Sequence, residues 1–278
     1  MKRVLKWTAI VLGSLVALAL VVIYGVSEYR LRETFDIAAT PVAVPTDSAS
    51  LALGRHIFET RGCTGCHGDN AAGKVFFDEP NIARLVAPNV TKAIRTYSDP
   101  ELARLLRHGV RPNGRGVAVM PSSMFYHLDD ADLGALIAHL RTMPEQAGPE
   151  LPPTAMRILA RVGLVIGQYK LEPTTIVHDA PRVAKGSEPA ALGQYLAKTS
   201  CTECHGQQLE GGDGTPALSI VAGYSASEFA KLMREGVPRD GRVMEMMTPV
   251  AKGRFSHFTD DEVAALYAYL ARQAPSSS

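Results

Sequence analysis

An internal repeat is the feature that most constrains how this chain of 278 residues can fold. The segment LGRHIFETRGCTGCHG, which begins at Leu53, matches LGQYLAKTSCTECHG, which begins at Leu192, with one residue of difference in the spacing. Two more pairs of matching segments follow in the same order, beginning at Tyr97 and Tyr224 and at Phe125 and Phe255. A repeat of this kind governs the whole fold assignment, and it predicts two copies of one small domain.

Each copy ends in a predicted amphipathic helix. Apolar residues fall at i, i+3, i+4 and i+7 in both helices, and these are Leu133, Leu136, Ile137 and Leu140 in the first copy and Val263, Leu266, Tyr267 and Leu270 in the second. Asp129 and Thr259 are the predicted N-caps, and Pro144 and Pro275 are the predicted stops. No alternating strand pattern accompanies these helices, so the predicted fold class is all-α with two tandem domains.

The sequence predicts five parts. They are a membrane anchor over residues 1–31, a tether over 32–47, a first domain over 48–145, a proline-rich linker with one helix over 146–188 and a second domain over 189–275. The tether region is rich in Pro and Ala and has no sustained apolar period. The linker helix is expected within residues 154–169. We predict that it packs on the first domain, and the alternative is that it rests on a membrane surface.

The N-terminal stretch Thr8–Val26 contains no charged residue and is dominated by Ala, Val, Leu and Ile. As a helix it is ~28 Å long, about the thickness of the hydrocarbon core of a bilayer. The basic residues before it keep the N-terminus in the cytoplasm and send the rest of the chain across the membrane, and they are Lys2, Arg3 and Lys6. A cleaved signal peptide usually has a shorter apolar core, so we predict an uncleaved anchor.

The charge of the chain excludes one class of partner. A formal net charge of +1 at pH 7 leaves no overall basic field with which to neutralise phosphates, so no nucleic-acid partner is expected. The proportions of 46% hydrophobic and 21% charged residues are those of an ordinary globular protein and not of a disordered chain.

Each copy contains two cysteines with a histidine directly after the second, CTGCH over residues 63–67 and CTECH over residues 201–205. Cys-x-x-Cys-His is the attachment pattern of a c-type haem. The two thiols bind the two vinyl groups of the porphyrin, and the adjacent histidine reaches the iron from the same side. The sequence therefore predicts two covalently bound haem c groups, held by Cys63, Cys66 and His67 and by Cys201, Cys204 and His205.

Two other uses of paired cysteines are weaker explanations. A redox-active dithiol of the thioredoxin kind needs a βαβ context, which the sequence lacks. A zinc site would have to combine the two motifs, but 138 residues separate Cys63 from Cys201 and each lies in its own copy of the repeat. One such motif can arise by chance, whereas two at matching places in a repeat favour haem.

Methionines cluster in the same loop of both copies, directly before the last helix. Such a residue can be the second axial ligand of a haem iron, although most methionines simply fill hydrophobic cores. In the first copy the candidates are Met120 and Met124, and we choose Met120, which precedes a proline. In the second copy we choose Met247, and Met244 and Met246 remain alternatives.

Other polar residues have two interpretations. His127 and His257 occupy matching positions before the last helices, where each is an alternative axial ligand or, more simply, a partly exposed residue near a helix start. Four arginines in matching turns are either partners for haem propionates, because the guanidinium group suits carboxylates, or solvated loop charges. They are Arg111, Arg115, Arg239 and Arg242.

Over residues 48–275 these features together resemble a membrane-anchored di-haem class I cytochrome c. The resemblance rests on CTGCH and CTECH, on PNVT and PALS before the middle helix, on HGVRPNGR and EGVPRDGR, and on VMPSSMF and MMTPVAKGRF. It implies that His67 and His205 are the proximal iron ligands and that Met120 and Met247 are the distal ones. One departure is the loop between these ligands, which spans 53 residues in the first copy and 42 in the second.

The resemblance implies a one-electron carrier of a respiratory chain. Such a protein passes electrons between redox proteins, here a dehydrogenase or a terminal oxidase, and sits in the bacterial inner membrane as a single-pass protein with its haem domains in the periplasm. The alternative is a peroxidase-like di-haem enzyme in which one iron lacks a permanent distal ligand. Methionines in both copies favour the carrier over the catalyst.

Overall fold

Two helical domains follow a long N-terminal helix in the computed structural model, which describes residues 1–212 and 214–273. The N-terminal helix is α1 (Lys2–Leu31), and the first domain contains α2 (Ser48–Thr60), α3 (Cys63–His67), β1 (Lys74–Glu79), β2 (Ala83–Ala87), α4 (Val90–Ala93), α5 (Asp99–His108), α6 (Ser122–Phe125) and α7 (Asp130–Thr142). The connection contains β3 (Ala155–Met156) and α8 (Ile158–Ile166). The second domain contains α9 (Pro189–Ser200), α10 (Thr202–His205), α11 (Ala226–Glu235), α12 (Met247–Gly253) and α13 (Asp260–Leu270). The mainly helical fold class is confirmed.

The ends of the helices follow the sequence signals closely. The Asp129 side chain accepts a hydrogen bond from the backbone N–H of Asp132 at the start of α7. Thr259 and Glu262 form a reciprocal capping box at the start of α13. These contacts satisfy backbone donors that have no partner within the helix. The predicted stop at Pro275 lies outside the described residues.

The first and last helices of each domain cross at a glycine. A Cβ atom at Gly54 of α2 would lie 1.9 Å from the Ala135 carbonyl oxygen of α7, and one at Gly193 of α9 would lie 2.0 Å from the Ala265 carbonyl oxygen of α13. Only a residue without a side chain allows the two backbones to approach this closely. The crossing brings the apolar faces of both helices into one core, so it fixes the framework on which the rest of each domain is built.

A small antiparallel sheet in the first domain departs from the predicted all-helical pattern. β1 pairs with β2 from Lys74 opposite Ala87 to Glu79 opposite Ala83, with an irregularity between Val75 and Phe77. β3 adds a short third strand beside β2. The strands KVFFDE and ARLVA do not alternate in polarity, so the sequence carries no period-two signal for them.

The linker forms a strand and a shorter helix, where one helix within 154–169 is predicted. Gly167 ends α8 in the left-handed conformation, with φ of 77°, which a glycine adopts without a steric penalty. α8 packs against the end of α1 and touches β2 of the first domain.

The predicted tether lies along the first domain in the structure. The Phe35 N–H donates to the Gly114 carbonyl oxygen at 2.9 Å. Val42 and Val44 pack against the hydrophobic core, and the Ala43 backbone lies where a side chain at Gly134 would otherwise stand. The apolar residues of the segment follow no sustained period, but their contacts hold it on the domain surface.

The two domains meet through matching contacts and share one hydrophobic cluster. His56 of α2 lies 2.9 Å from the Glu262 carboxylate of α13, and the Tyr195 hydroxyl of α9 donates to the Asp132 carboxylate of α7 at 2.6 Å. In the repeat, His56 matches Tyr195 and Asp132 matches Glu262. The domains therefore pack in a nearly symmetric way, each presenting the same helix face to the other.

The helix crossing predicts the effect of one added methyl group. Gly54→Ala and Gly193→Ala should each lower the free energy of unfolding by about 1–3 kcal/mol, because the new Cβ atom would overlap a carbonyl group of the facing helix. Chemical denaturation measures this change. The control is Gly253→Ala, where no atom lies within 4 Å and stability should be unchanged or raised by up to ~1 kcal/mol. Equal effects in all three variants would contradict the close approach.

Candidate haem sites

A cavity of about 270 Å³ lies beside α3 in the first domain. Cys63, Cys66, His67 and Met120 all line it, so one space contains every predicted haem-binding residue of the first domain. Its other walls are largely apolar and include Phe58, Phe76, Leu85, Ile94, Leu102 and Leu136. An engineered apolar cavity of ~150 Å³ is enough to take up benzene, so this larger space suits a flat apolar group of more than one ring. The residues present fit a porphyrin.

The histidine of each motif is oriented by the same hydrogen bond. The His67 Nδ1 lies 3.0 Å from the Pro88 carbonyl oxygen, and the His205 Nδ1 lies 2.8 Å from the Pro216 carbonyl oxygen. A carbonyl oxygen only accepts, so Nδ1 carries the proton and Nε2 keeps its lone pair. An outer hydrogen bond of this kind fixes the tautomer and the ring orientation of a metal-binding histidine.

The same histidines are held in the neutral form. Burial lowers the pKa of His67 and of His205, and the hydrogen bonds to the proline carbonyls act in the opposite direction with a smaller effect on the pKa. An iron atom binds a neutral imidazole, because a protonated ring has no free lone pair. Both rings can therefore bind a metal ion through Nε2 at neutral pH.

The cysteines do not form a redox-active pair. No disulfide joins the four cysteines, and burial raises the pKa of the unmodified Cys63 thiol to about 12 and that of the unmodified Cys201 thiol to about 11. A dithiol that exchanges disulfides needs a lowered pKa, since the thiolate is the nucleophile. Among the described residues, no group of three or more His, Cys, Asp or Glu side chains is placed to hold a metal ion, so the two motifs do not combine into a zinc site.

The methionines occupy different environments. Met120 lines the cavity of the first domain, whereas Met124 is fully buried elsewhere and its sulfur accepts a hydrogen bond from Arg254 at 3.3 Å. In the second domain Met247 begins α12 and packs against the core, while the Met246 side chain is 68% exposed. Met247 is therefore less exposed to solvent than its neighbour Met246.

The longer loop of the first domain has a simple structural origin. His67 and Pro88 are 21 residues apart, whereas His205 and Pro216 are 11 apart. The β1–β2 hairpin occupies this difference, and its residues Phe76 and Leu85 form part of the cavity wall. From the proline onward the spacing to the chosen methionine is 32 residues in the first domain and 31 in the second. The insertion therefore accounts for the difference in loop length and leaves the spacing from the proline to the chosen methionine nearly the same.

The alternative histidines have other partners. The His127 Nδ1 accepts a hydrogen bond from the Val183 N–H at 3.3 Å, and the His257 Nδ1 lies 3.8 Å from the Glu59 carboxylate. Neither is among the described residues that line the cavity. These contacts fit the simpler interpretation of polar residues near a helix start.

Of the four candidate arginines, two belong to the first domain and two to the second. Arg239 lies 3.4 Å from the Glu228 carboxylate, and Arg242 lies 3.5 Å from that of Asp240. Arg115 is exposed in a turn of the first domain. Arg111 does line the cavity, so it is the candidate there for a propionate partner.

One buried arginine lies between the two attachment motifs, and the sequence analysis does not identify it. The Arg254 Nε donates to the Thr60 carbonyl oxygen at 3.0 Å, three residues before Cys63. Its Nη1 donates to the Glu203 carboxylate at 3.1 Å, inside the second motif, and Glu203 also lines the cavity of the first domain. A single guanidinium group therefore joins the two haem-binding segments. The repeat gives no signal for it, because the matching residue of the first copy is Met124.

Removing this guanidinium group should weaken the contact between the domains. Arg254→Met is expected to lower the free energy of unfolding by about 1–3 kcal/mol, because the buried Thr60 carbonyl loses its donor and the partly exposed Glu203 carboxylate loses its charged partner. Denaturant titration measures this. Arg242→Met, in an exposed pair with Asp240, is the matched control and should change stability by no more than about 0.5 kcal/mol. If the two variants lose the same stability, Arg254 does not join the domains.

Comparison with known proteins gives the family. The cytochrome c family profile matches residues 51–144 and 190–274. The cytochrome subunit of a fructose dehydrogenase from Gluconobacter japonicus is 21% identical over 86% of this chain and 55% of its own length. The cytochrome c subunits of alcohol dehydrogenase (quinone) from Gluconacetobacter polyoxogenes and Komagataeibacter europaeus are each 25% identical over 88% of this chain and 62% of theirs.

The chain thus spans little more than half the length of these relatives. The family match covers both copies of the repeat, and each copy contains the cysteines and the histidine that c-type haem requires. The chain belongs to the cytochrome c family and contains two cytochrome c domains in tandem, a type of domain that implies covalently bound haem c.

Proposed function

We propose that this protein is a membrane-tethered cytochrome with two haem c groups, which passes single electrons between periplasmic or membrane-bound partners of a respiratory chain. The observation that carries the proposal is the cavity in which Cys63, Cys66, His67 and Met120 converge. The second domain repeats the same attachment motif and the same histidine hydrogen bond.

The first haem would be held by Cys63 and Cys66 through thioether bonds, with His67 and Met120 as axial ligands. The second would be held by Cys201 and Cys204, with His205 and Met247 as axial ligands. When bound, the haem iron supplies a one-electron couple between its ferrous and ferric states. The protein contributes the neutral histidine, the sulfur ligand and the apolar walls that exclude water.

A carrier fits the first domain better than a peroxidase-like enzyme does. Met120 lines the same space as His67, so a sulfur atom is available for the distal side of the iron. A permanent sulfur ligand keeps small molecules from the iron and raises the reduction potential. The enzyme would need one domain in which this ligand is absent or dissociates.

The membrane anchor is supported by α1 and by the contacts at its end. α1 contains an 18-residue window with a mean hydropathy of 2.7, although a signal sequence near the N-terminus would pass the same test. Ser27, near the end of α1, is fully buried, and its hydroxyl accepts a hydrogen bond from Arg161 of α8 at 2.8 Å. Cleavage of α1 as a signal peptide would remove this packing. We infer that α1 stays attached and places the haem domains on the periplasmic side of a bacterial inner membrane.

The relatives suggest the kind of partner. Their names describe cytochrome subunits of a fructose dehydrogenase and of alcohol dehydrogenases. By analogy, this chain would accept electrons from a dehydrogenase and pass them on within the membrane, with a terminal oxidase as one acceptor.

The number of haems can be counted directly. Protein made in a host that matures c-type cytochromes should show two pyridine haemochrome equivalents per denatured polypeptide, because thioether bonds survive denaturation. The double variant Cys63→Ala/Cys66→Ala should show one, and Cys201→Ala/Cys204→Ala should also show one. Absence of covalently bound haem from the unmodified protein would refute the proposal.

The distal ligands can be assigned from the weak near-infrared band that arises from sulfur-to-iron charge transfer. Met120→Ala should remove about half of this band, because one of two sulfur ligands is lost. Met124→Ala is the control within the same loop and should leave the band intact, since that sulfur faces Arg254.

The second domain needs its own comparison. Met247→Ala should remove the other half of the band, and an unchanged band would move the assignment to Met244 or Met246. Carbon monoxide binding to one haem of the reduced, unmodified protein would instead favour the peroxidase-like enzyme.

A further inference from the structure

The short helix α8 has an unusual composition for its place in the structure. Its sequence, ILARVGLVI, contains a single charged residue and is apolar on nearly every side. A helix of this kind is normally buried, either in a protein core or in a membrane. In α8, however, only Leu164 is buried, and the side chains of Leu159 and Ile166 are 55% and 70% exposed.

Contacts with α1 place α8 at the end of the apolar run. The Arg161 guanidinium group lies 4.8 Å from the centre of the Tyr24 ring and 3.2 Å from the Glu28 carboxylate. Arg30 of α1 donates to the Leu164 carbonyl oxygen. Because the uncharged stretch of α1 ends at Val26, α8 lies at the level where a membrane-spanning α1 would leave the hydrocarbon and enter the headgroup layer.

The charges near α8 are already paired within the protein. Arg161 is engaged by α1, and Arg157, directly before α8, lies 2.7 Å from the Asp78 carboxylate. The outward side of α8 therefore offers apolar side chains without an unpaired cation between them. Ile82, at the turn of the β1–β2 hairpin, extends this surface, because the Leu159 N–H donates to the neighbouring Asn81 carbonyl oxygen at 3.0 Å.

We propose that α8 lies in the bilayer surface, with Leu159 and Ile166 inserted at the boundary between the headgroups and the acyl chains. This inference rests on the proposed membrane anchoring by α1, and it assigns the lipid bilayer as the partner of the exposed apolar face. An interfacial helix of this type buries its apolar side chains by about 5–10 Å in the boundary region. Two contacts, α1 and α8, then hold the first domain, so it cannot rotate freely about the anchor.

The first haem site is linked to this surface through the sheet. β3 directly precedes α8 and pairs with β2, whose residue Leu85 lines the cavity. A wall of the cavity is thus connected to the membrane surface by one short strand. The attachment of α8 therefore fixes the side from which a membrane partner can approach the first domain.

The test uses the full-length haem protein in vesicles of phosphatidylcholine, with single cysteines introduced for reaction with a water-soluble maleimide polyethylene glycol. The variants Leu159→Cys and Ile166→Cys probe α8, and Ile220→Cys of the second domain is the matched control, because the Ile220 side chain is 53% exposed. Leu15→Cys reports whether α1 lies in the bilayer. The unmodified protein gives the background from its own cysteines.

Leu159→Cys and Ile166→Cys should react about tenfold more slowly than Ile220→Cys, because a thiol at the lipid boundary forms less of the reactive thiolate. If Leu15→Cys is protected while both α8 cysteines react as fast as Ile220→Cys, this inference is wrong and the anchor stands. If Leu15→Cys also reacts fast, the anchor and this inference both fail. Protection of α8 in native membranes but not in these vesicles would assign the surface to a protein partner and overturn the proposal.

Discussion

The hydrogen bond between each motif histidine and a proline carbonyl organises the haem sites. Because the carbonyl oxygen can only accept, the bond selects one tautomer of His67 and of His205 and leaves the lone pair of Nε2 available. It also brings the chain back to the motif after a loop of variable length. A hairpin is therefore accommodated between His67 and Pro88 without loss of this hydrogen bond, whereas the second domain closes the same contact with a shorter connection.

The two domains form one structure because they pack through equivalent faces. The contacts of His56 with Glu262 and of Tyr195 with Asp132 are related by the repeat, and a common hydrophobic cluster surrounds them. Arg254 breaks this symmetry, since it reaches from the second domain to the segment before Cys63 while it also binds Glu203. Buried charges are costly unless they are paired, so such a residue specifies one relative arrangement of the domains.

Short-range patterns predict much of this structure. Each helix cap, terminal helix and attachment motif is defined by residues that are close together in the chain, and the structure forms the predicted helices with their N-caps at Asp129 and Thr259. Met120 lines the same cavity as the first motif, and its role as an iron ligand stays a prediction. The hairpin and the role of Arg254 are not predicted from the sequence, because the first lacks a polarity pattern and the second depends on residues that are distant in the chain. The hairpin strands do not alternate in polarity, and Arg254 acts through residues about 50 and 194 positions away.

The segment over residues 32–47 limits how this protein can search for its partners. Sixteen free residues could extend by ~50 Å and let a domain sweep a large volume above its anchor. Instead, the segment is fixed through Phe35, Val42 and Val44 to the first domain. In the proposed arrangement, with α1 in a bilayer, these contacts would restrict swinging of the first domain about its anchor. Encounters with other redox proteins would then depend on lateral diffusion in two dimensions, and their frequency on how crowded the membrane is.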